Sequence, residues 1–301
     1  MAGKNKHDYH ILEPSAHPLI TSIFALLMAL GLVFWLNDQH NFDALKNPYL
    51  FSVGIIGLIV AVTAWWVDVT EEAEHQGHHT PIVQLHHRYG MALFIASEIM
   101  FFVAWFWAFF DVSLFPAELS RILGEKPIAE ASLGEIKLYS RLEATGGIWP
   151  PQGIEVFDAW RLPFLNTLIL LLSGCTLTFS HHALLHDDRS GFKGGLLATI
   201  ILGLVFSGLQ VVEYMHAPFA FKESVYGGTF FMATGFHGFH VIVGTLFLLV
   251  CYFRALKGHF KPDHHFGYEA AAWYWHFVDV VWLFLFVAIY IWGNSGGTIH
   301  G

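Results

Sequence analysis

Charge is what this sequence is short of. Only 13% of its 301 residues are Asp, Glu, Lys or Arg, against roughly 25% in a soluble domain. With 55% hydrophobic residues and a mean hydropathy of +0.51, the chain cannot cover a water-facing surface. The membrane class follows before any motif is read. Basic residues are scarcer than acidic ones, 15 against 24, for a formal net charge of -9. Nucleic-acid binding needs a concentrated basic face, so that class is excluded. Cysteine is nearly missing: Cys175 and Cys251 both lie in apolar runs, behave as small hydrophobes and cannot make a disulfide framework. There is no CxxC or Cys-His metal spacing. No internal repeat is visible either, which argues against an inverted-repeat transporter.

What is present is a series of apolar runs. Crossing the hydrocarbon core takes about 20 mostly apolar residues. Seven stretches qualify: 18–36, 49–67, 89–110, 164–179, 194–212, 229–253 and 273–292. The fourth is short and is expected to continue through His181 and His182 to Leu185. Each is expected to be a helix, because lipid offers no partner to an exposed backbone group. No small-residue cleavage pattern follows the first run, where Trp35 and Leu36 lead into Asn37, Asp38 and Gln39, so it reads as an uncleaved span.

Seven spans put the termini on opposite sides of the membrane. With the N-terminus inside, that side holds Lys4, Lys6, Arg88, Arg189, Lys193, Arg254, Lys257 and Lys261. The other side holds Lys46, Lys222 and five basic residues of the connection 113–161. Leaving that long connection aside, the bias of basic residues places the N-terminus in the cytoplasm. The chain then divides into a two-span segment at 1–69, an acidic, histidine-rich connection at 70–88, and five spans at 89–301. The 113–161 connection, rich in Glu, Gly and Pro, reads as an ordered extramembrane loop whose Trp149 and Trp160 suit a membrane interface.

Polar residues inside the spans carry the functional information. Glu98 stands about 13 Å of helix beyond Tyr89. A carboxylate facing lipid there would be costly, so Glu98 faces protein or water, or is neutral and hydrogen-bonded. Two readings stand: a proton-relay or gating carboxyl, and a structural anchor between helices. His237 and His240, at i and i+3, offer either two ligands to a metal or haem, or a pair of interhelical hydrogen bonds. Gly235 and Gly238 beside them favour close helix packing and the second reading.

The 20 histidines include four further doublets, at His78 and His79, His86 and His87, His181 and His182, and His264 and His265. All fall at span ends on the proposed cytoplasmic side, where a proton antenna, a metal site and plain interfacial anchoring are open. Arg88, Arg254, Trp65 and Trp66 lie at headgroup depth and suit either phosphate contacts or ordinary snorkelling. Asp279 follows His276 by three residues, close enough for a same-face bond. Glu213 ends the fifth run and is expected to meet polar groups there.

Longer motifs then spell out a family. The stretches YEAAAWYWHFVDVVWLFL at 268–285 and YGGTFFMATGFHGFHV at 226–241 resemble the last two helices of the cytochrome c oxidase subunit III family nearly letter for letter. GHHTP at 77–81, RYGM at 88–91, Ser97 with Glu98, WPP at 149–151 and PFLNT at 163–167 extend the resemblance along the chain.

The resemblance implies an all-α polytopic membrane protein with seven transmembrane helices in two bundles, 1–2 and 3–7, opening as a V around a phospholipid-filled cleft. It implies lipid contacts at Trp66, Glu72, His79, Arg254 and His264, and a proton-related carboxyl at Glu98 facing that cleft. It implies no catalytic residue, metal, haem or copper in this chain, the redox centres belonging to partner subunits I and II. The implied role is structural and regulatory, sustaining proton uptake and protecting the catalytic core.

The family's quinol-oxidising relatives usually lack the first two spans, so their presence favours the cytochrome c branch. The long 113–161 connection looks bacterial, implying a bacterial inner membrane. Two alternatives predict different behaviour. An independent transporter coupled through Glu98 works alone in liposomes. A redox enzyme binding haem through His237 and His240 shows a Soret band as a single chain.

Overall fold

The computed structural model describes residues 14–36, 47–116 and 141–300. Among them are seven helices long and apolar enough to cross a membrane: α1 (His17–Leu36), α2 (Tyr49–Glu74), α3 (Pro81–Leu114), α4 (Leu162–Leu185), α5 (Arg189–Met215), α6 (Val225–Leu256) and α7 (Phe266–Leu285). The last seven residues of the seventh span, Phe286–Trp292, widen into a π-helix.

Most helices outrun the apolar stretches that announce them. α2 continues to Glu74 and α3 starts at Pro81, so most of the 70–88 segment is helical and the link shrinks to residues 75–80. Hydropathy marks where lipid ends, whereas helical hydrogen bonds propagate on into the interface, where polar side chains reach water. The 34 residues of α3 span about 50 Å, well beyond the roughly 30 Å of hydrocarbon. In the link, Gly77 takes a positive φ of 66° that a side chain would disfavour.

The chain falls into two compact units, Met1–His87 and Arg88–Gly301, divided within α3. In the first, α1 and α2 cross backbone to backbone. A Cβ on Gly31 would fall on the backbone of Leu50 and Phe51, and one on Gly54 on that of Leu27 and Met28. Such contact between small residues is how spanning helices associate without a hydrophobic driving force. At the far end of the pair, the His17 ring stacks on Trp65, with Nε2 2.6 Å from Asp68 Oδ2.

The second unit is organised around α7 and the π-helix that follows it, whose large side chains Tyr268, Trp275, Trp282 and Tyr290 are fully buried. Each brings one polar hydrogen into an apolar interior and finds an oxygen for it. Tyr268 OH donates to Ser180 Oγ, Trp275 Nε1 to Ser173 Oγ and Trp282 Nε1 to Thr167 Oγ1, all at 2.9 Å. The first three acceptors all stand on α4. Tyr290 OH donates to Glu213 Oε1 of α5 at 2.6 Å. Glycines clear the space for Trp275: a Cβ on Gly203 would lie 2.6 Å from its indole, and one on Gly244 2.9 Å.

Local signals set the helix boundaries. Asp188 caps α5 by accepting from Ser190 and Gly191 N–H, and Ser224 caps α6 by accepting from Gly227 N–H at 2.9 Å. A short parallel ladder, β1 (Glu155–Phe157) with β2 (Thr298–His300), joins the 113–161 connection to the C-terminal segment. Three-residue strands separated by most of the second unit carry no readable pattern, and the sequence reading missed them. Trp149 packs between Phe109 and Tyr226, with ring centroids 5.6 and 5.5 Å away, and Trp160 is exposed. Arg141 pairs with Asp111, and Thr145 Oγ1 donates to Pro116 O at 3.1 Å, so the described end of the connection is tied to the end of α3. Residues 117–140 of that connection lie outside the described residues.

The aromatic-to-hydroxyl bonds yield a prediction. Ser173→Ala strands the buried indole N–H of Trp275 and is expected to lower stability by about 1–2 kcal/mol. In the Trp275→Phe background the same change should cost much less. Unfolding in mixed micelles, run as a double-mutant cycle, measures the difference.

Candidate functional site

The polar centre of the second unit is a pair contributed by α3 and α6. Glu98 Oε2 lies 2.8 Å from His240 Nε2, with the histidine side chain 8% exposed and the glutamate 22%. Phe102, Phe101 and Tyr274 surround the imidazole, their ring centroids 4.9, 5.8 and 6.3 Å from its own. The other ring nitrogen defines the chemistry. His240 Nδ1 sits 2.6 Å from the Phe236 carbonyl oxygen one turn back, so Nδ1 carries hydrogen and donates.

Nε2 then has two states. In a neutral imidazole it accepts a proton held by Glu98; in an imidazolium it donates to an ionised Glu98. Both states place a single proton between the two residues and leave the pair with no net charge. A carboxyl in a spanning helix is stabilised in this way without water.

His237 does not join His240. Its Nε2 lies 3.1 Å from the Val278 carbonyl oxygen, and its buried ring packs on Trp282 and Phe206. The i, i+3 pair therefore serves two neighbouring helices, α7 and α3, which agrees with the hydrogen-bonding reading. Among the described residues, no three His, Cys, Asp or Glu side chains gather in a group suited to a metal. Other histidines pair with one another: His181 and His265 approach to 3.3 Å between their Nε2 atoms, and the rings of His79 and His87 to 4.9 Å.

The expected lipid contacts divide between the units. In the first, Trp66 is exposed on α2, and His79 Nε2 lies 3.9 Å from Glu72 Oε2. In the second, the Arg254 guanidinium lies over the Phe260 ring, 4.4 Å from its centroid. Gly267 makes this possible, because a Cβ there would come within 2.8 Å of Arg254 Nη1. His264 closes a tight antiparallel bridge with Lys261.

Other candidates find different roles. Arg88, read as a phosphate contact or a snorkelling residue, forms a forked ion pair with Glu269, with Nε and Nη2 2.9 and 2.8 Å from Oε2. His276 Nε2 turns to Thr178 Oγ1 at 3.4 Å rather than to Asp279. Asp279 packs against Gly174, where a Cβ would lie 2.9 Å from its Oδ2.

Against this frame, the profile of the family described as "Cytochrome c oxidase subunit III" matches residues 7–128 and 138–294. The chain belongs to the cytochrome c oxidase subunit III family. Similar proteins are named "Cytochrome c oxidase subunit 3". The one from Arabidopsis thaliana is 50% identical over 294 residues, covering 98% of this chain and all of the relative. The one from Marchantia polymorpha is 48% identical over 295 residues, covering 98% of this chain and all of the relative. That of Danio rerio is 47% identical over 288 residues, covering 96% of this chain and 98% of the relative. As a family member, the chain is a multi-pass membrane subunit of the oxidase complex.

The sequence reading singled out Glu98 and His240 but did not join them. They lie 142 positions apart, and no local pattern connects them. The pairing of Arg88 with Glu269, 181 positions away, escaped it for the same reason.

The shared proton makes a specific demand on position 98. Glu98→Gln can still donate an amide hydrogen to His240 Nε2 and should hold the parent's stability to within about 0.5 kcal/mol. Glu98→Leu leaves the imidazole nitrogen unpaired in a nearly closed site and should cost about 1–3 kcal/mol. Thermal unfolding of both variants in detergent checks the ordering.

Proposed function

We propose that this chain is the non-catalytic subunit III of a haem-copper cytochrome c oxidase. In this reading it supports assembly, binds phospholipid, and sustains proton uptake by a catalytic core during oxygen reduction. Its partners are subunits I and II, which hold the haem and copper, and its home is a bacterial inner membrane with the N-terminus cytoplasmic. The distribution of basic residues favours that orientation.

The observation that carries the proton role is the Glu98–His240 pair. A carboxyl and an imidazole 2.8 Å apart can pass a proton between them without moving heavy atoms far. The pair can therefore hold one proton inside the membrane and move it between the two residues while staying electrically neutral. Phospholipid binding rests on Trp66, Glu72 and His79 in the first unit and on Arg254 and His264 in the second. Arginine suits a phosphate through its planar donor fork, and tryptophan favours the headgroup layer.

One purification tests the partnership and the proton role together. A tag on this chain should bring down two further membrane subunits with haem and copper. The same complex carrying Glu98→Gln should show unchanged haem spectra but a shorter turnover lifetime or weaker proton pumping. A stable haem-free monomer as the dominant native form would remove the partnership. Turnover and pumping equal to the parent would reduce Glu98 to an anchor.

The lipid contacts are tested at Arg254. Arg254→Ala should lower the amount of tightly bound phospholipid seen by native mass spectrometry of the complex, with haem content unchanged. Unaltered lipid occupancy would return Arg254 to snorkelling.

A further inference from the structure

A cavity of about 510 Å³ opens at the start of α5, lined by Arg189, Ser190, Lys193, Gly194 and Leu197, with Tyr252 of α6. Its depth follows from helix geometry. Lys193 lies four residues from the start of α5 and Tyr252 four residues from the end of α6, each about 6 Å along its helix. Successive spans run antiparallel, so both residues stand at the same membrane face, in the headgroup layer. Tyrosine is at home there.

The lining holds two cations and no acid. Arg189 is held in place: Nη1 donates to the Phe260 carbonyl oxygen at 2.7 Å, and Nε pairs with Asp187 at 3.2 Å. Among the described residues its Nη2 makes no further bond, and Lys193 makes no ion pair. The floor is open, because a Cβ on Gly194 would meet nothing within 4 Å. Below it, Leu197, Ile201 and Leu204 are exposed at i, i+4 and i+7, an apolar stripe running from the cavity toward the membrane interior.

We propose that this cavity binds the phosphate of one anionic phospholipid, between Lys193 and Arg189, with an acyl chain along the stripe of Leu197, Ile201 and Leu204. Asp187 occupies only the Nε edge of Arg189, and Lys193 has no carboxylate partner among the described residues, so the lining favours a headgroup of net negative charge over a zwitterionic one, which brings its own cation. The volume exceeds what a lone phosphate needs, and the apolar stripe gives a free anion nothing to use. The site goes beyond the phospholipid contacts proposed for Arg254 and His264 and does not depend on them.

Two variants test it in the purified complex. Lys193→Ala removes one charge and should weaken binding of added phosphatidylglycerol about fivefold, the effect of one surface basic residue. Gly194→Leu fills the floor without changing charge and, being exposed and a better helix former, leaves the fold intact. It should abolish the site.

Native mass spectrometry titrations with phosphatidylglycerol, phosphatidylethanolamine and inorganic phosphate read the result. The proposal expects one tight phosphatidylglycerol per complex that both variants lose or weaken and Arg254→Ala retains. Equal retention of phosphatidylethanolamine and phosphatidylglycerol by the parent would overturn it. So would displacement of the lipid by millimolar phosphate, or unchanged phosphatidylglycerol binding in both variants.

Discussion

Tyr268, Trp275 and Trp282 stand one heptad apart on α7, and each directs its single polar hydrogen at a hydroxyl of α4. The hydroxyls are already oriented. Ser180 donates to the Phe192 carbonyl oxygen and Thr167 to that of Pro163, at 2.7 and 2.8 Å, which leaves their lone pairs facing α7. In water such a bond contributes little, because solvent competes for both partners. Inside a helical bundle in lipid no competitor exists, and a wrong register would bury three donors without acceptors. The ladder therefore sets the register of α4 against α7. The rest of the second unit packs around that pair: α5 and α6 supply the glycines that clear the Trp275 indole, and α5 supplies Glu213 for Tyr290.

The same constraint explains why the proton-sharing pair sits where it does. Tyr274 follows Trp275's register on α7 and faces the His240 ring. His237 reaches the α7 backbone at Val278, which orients α6 so that His240, one turn on, presents its Nε2 to α3. Glu98 thus meets an imidazole whose other nitrogen is tied to its own helix. A carboxyl that would be a liability in a lipid-facing helix becomes half of a neutral pair. Assembly of the bundle and the capacity to hold a proton come from one set of contacts.

Ionic groups are treated with equal economy near the membrane faces. Arg88 and Glu269 neutralise each other through a forked pair, and Arg141 does the same with Asp111. Arg189 is fixed by carbonyl oxygens and Asp187. Basic residues that lack such a carboxylate partner in the same layer are the ones with chemistry to offer a phosphate, and Lys193 is placed for it.

Much of this was legible in the linear sequence, and the reason is physical. Lipid demands a helix wherever about 20 apolar residues run together, so scarcity of charge and the spacing of apolar runs determined seven spans. Long motifs around His240 and Trp275 determined the family, and the cost of a carboxyl in lipid singled out Glu98 before any partner was known. The partner was another matter. Whether Glu98 met His240, Arg88 met Glu269, or His276 turned to Thr178 rather than Asp279 depended on rotations of helices far apart in the chain. Rotation is set by packing. Hydropathy carries no information about it, because a helix hydrophobic on every side reads alike whichever face it buries. The ladder from α7 to α4, the glycine clearances around Trp275 and the short β1–β2 pairing decided those rotations, and they exist only once the helices have come together.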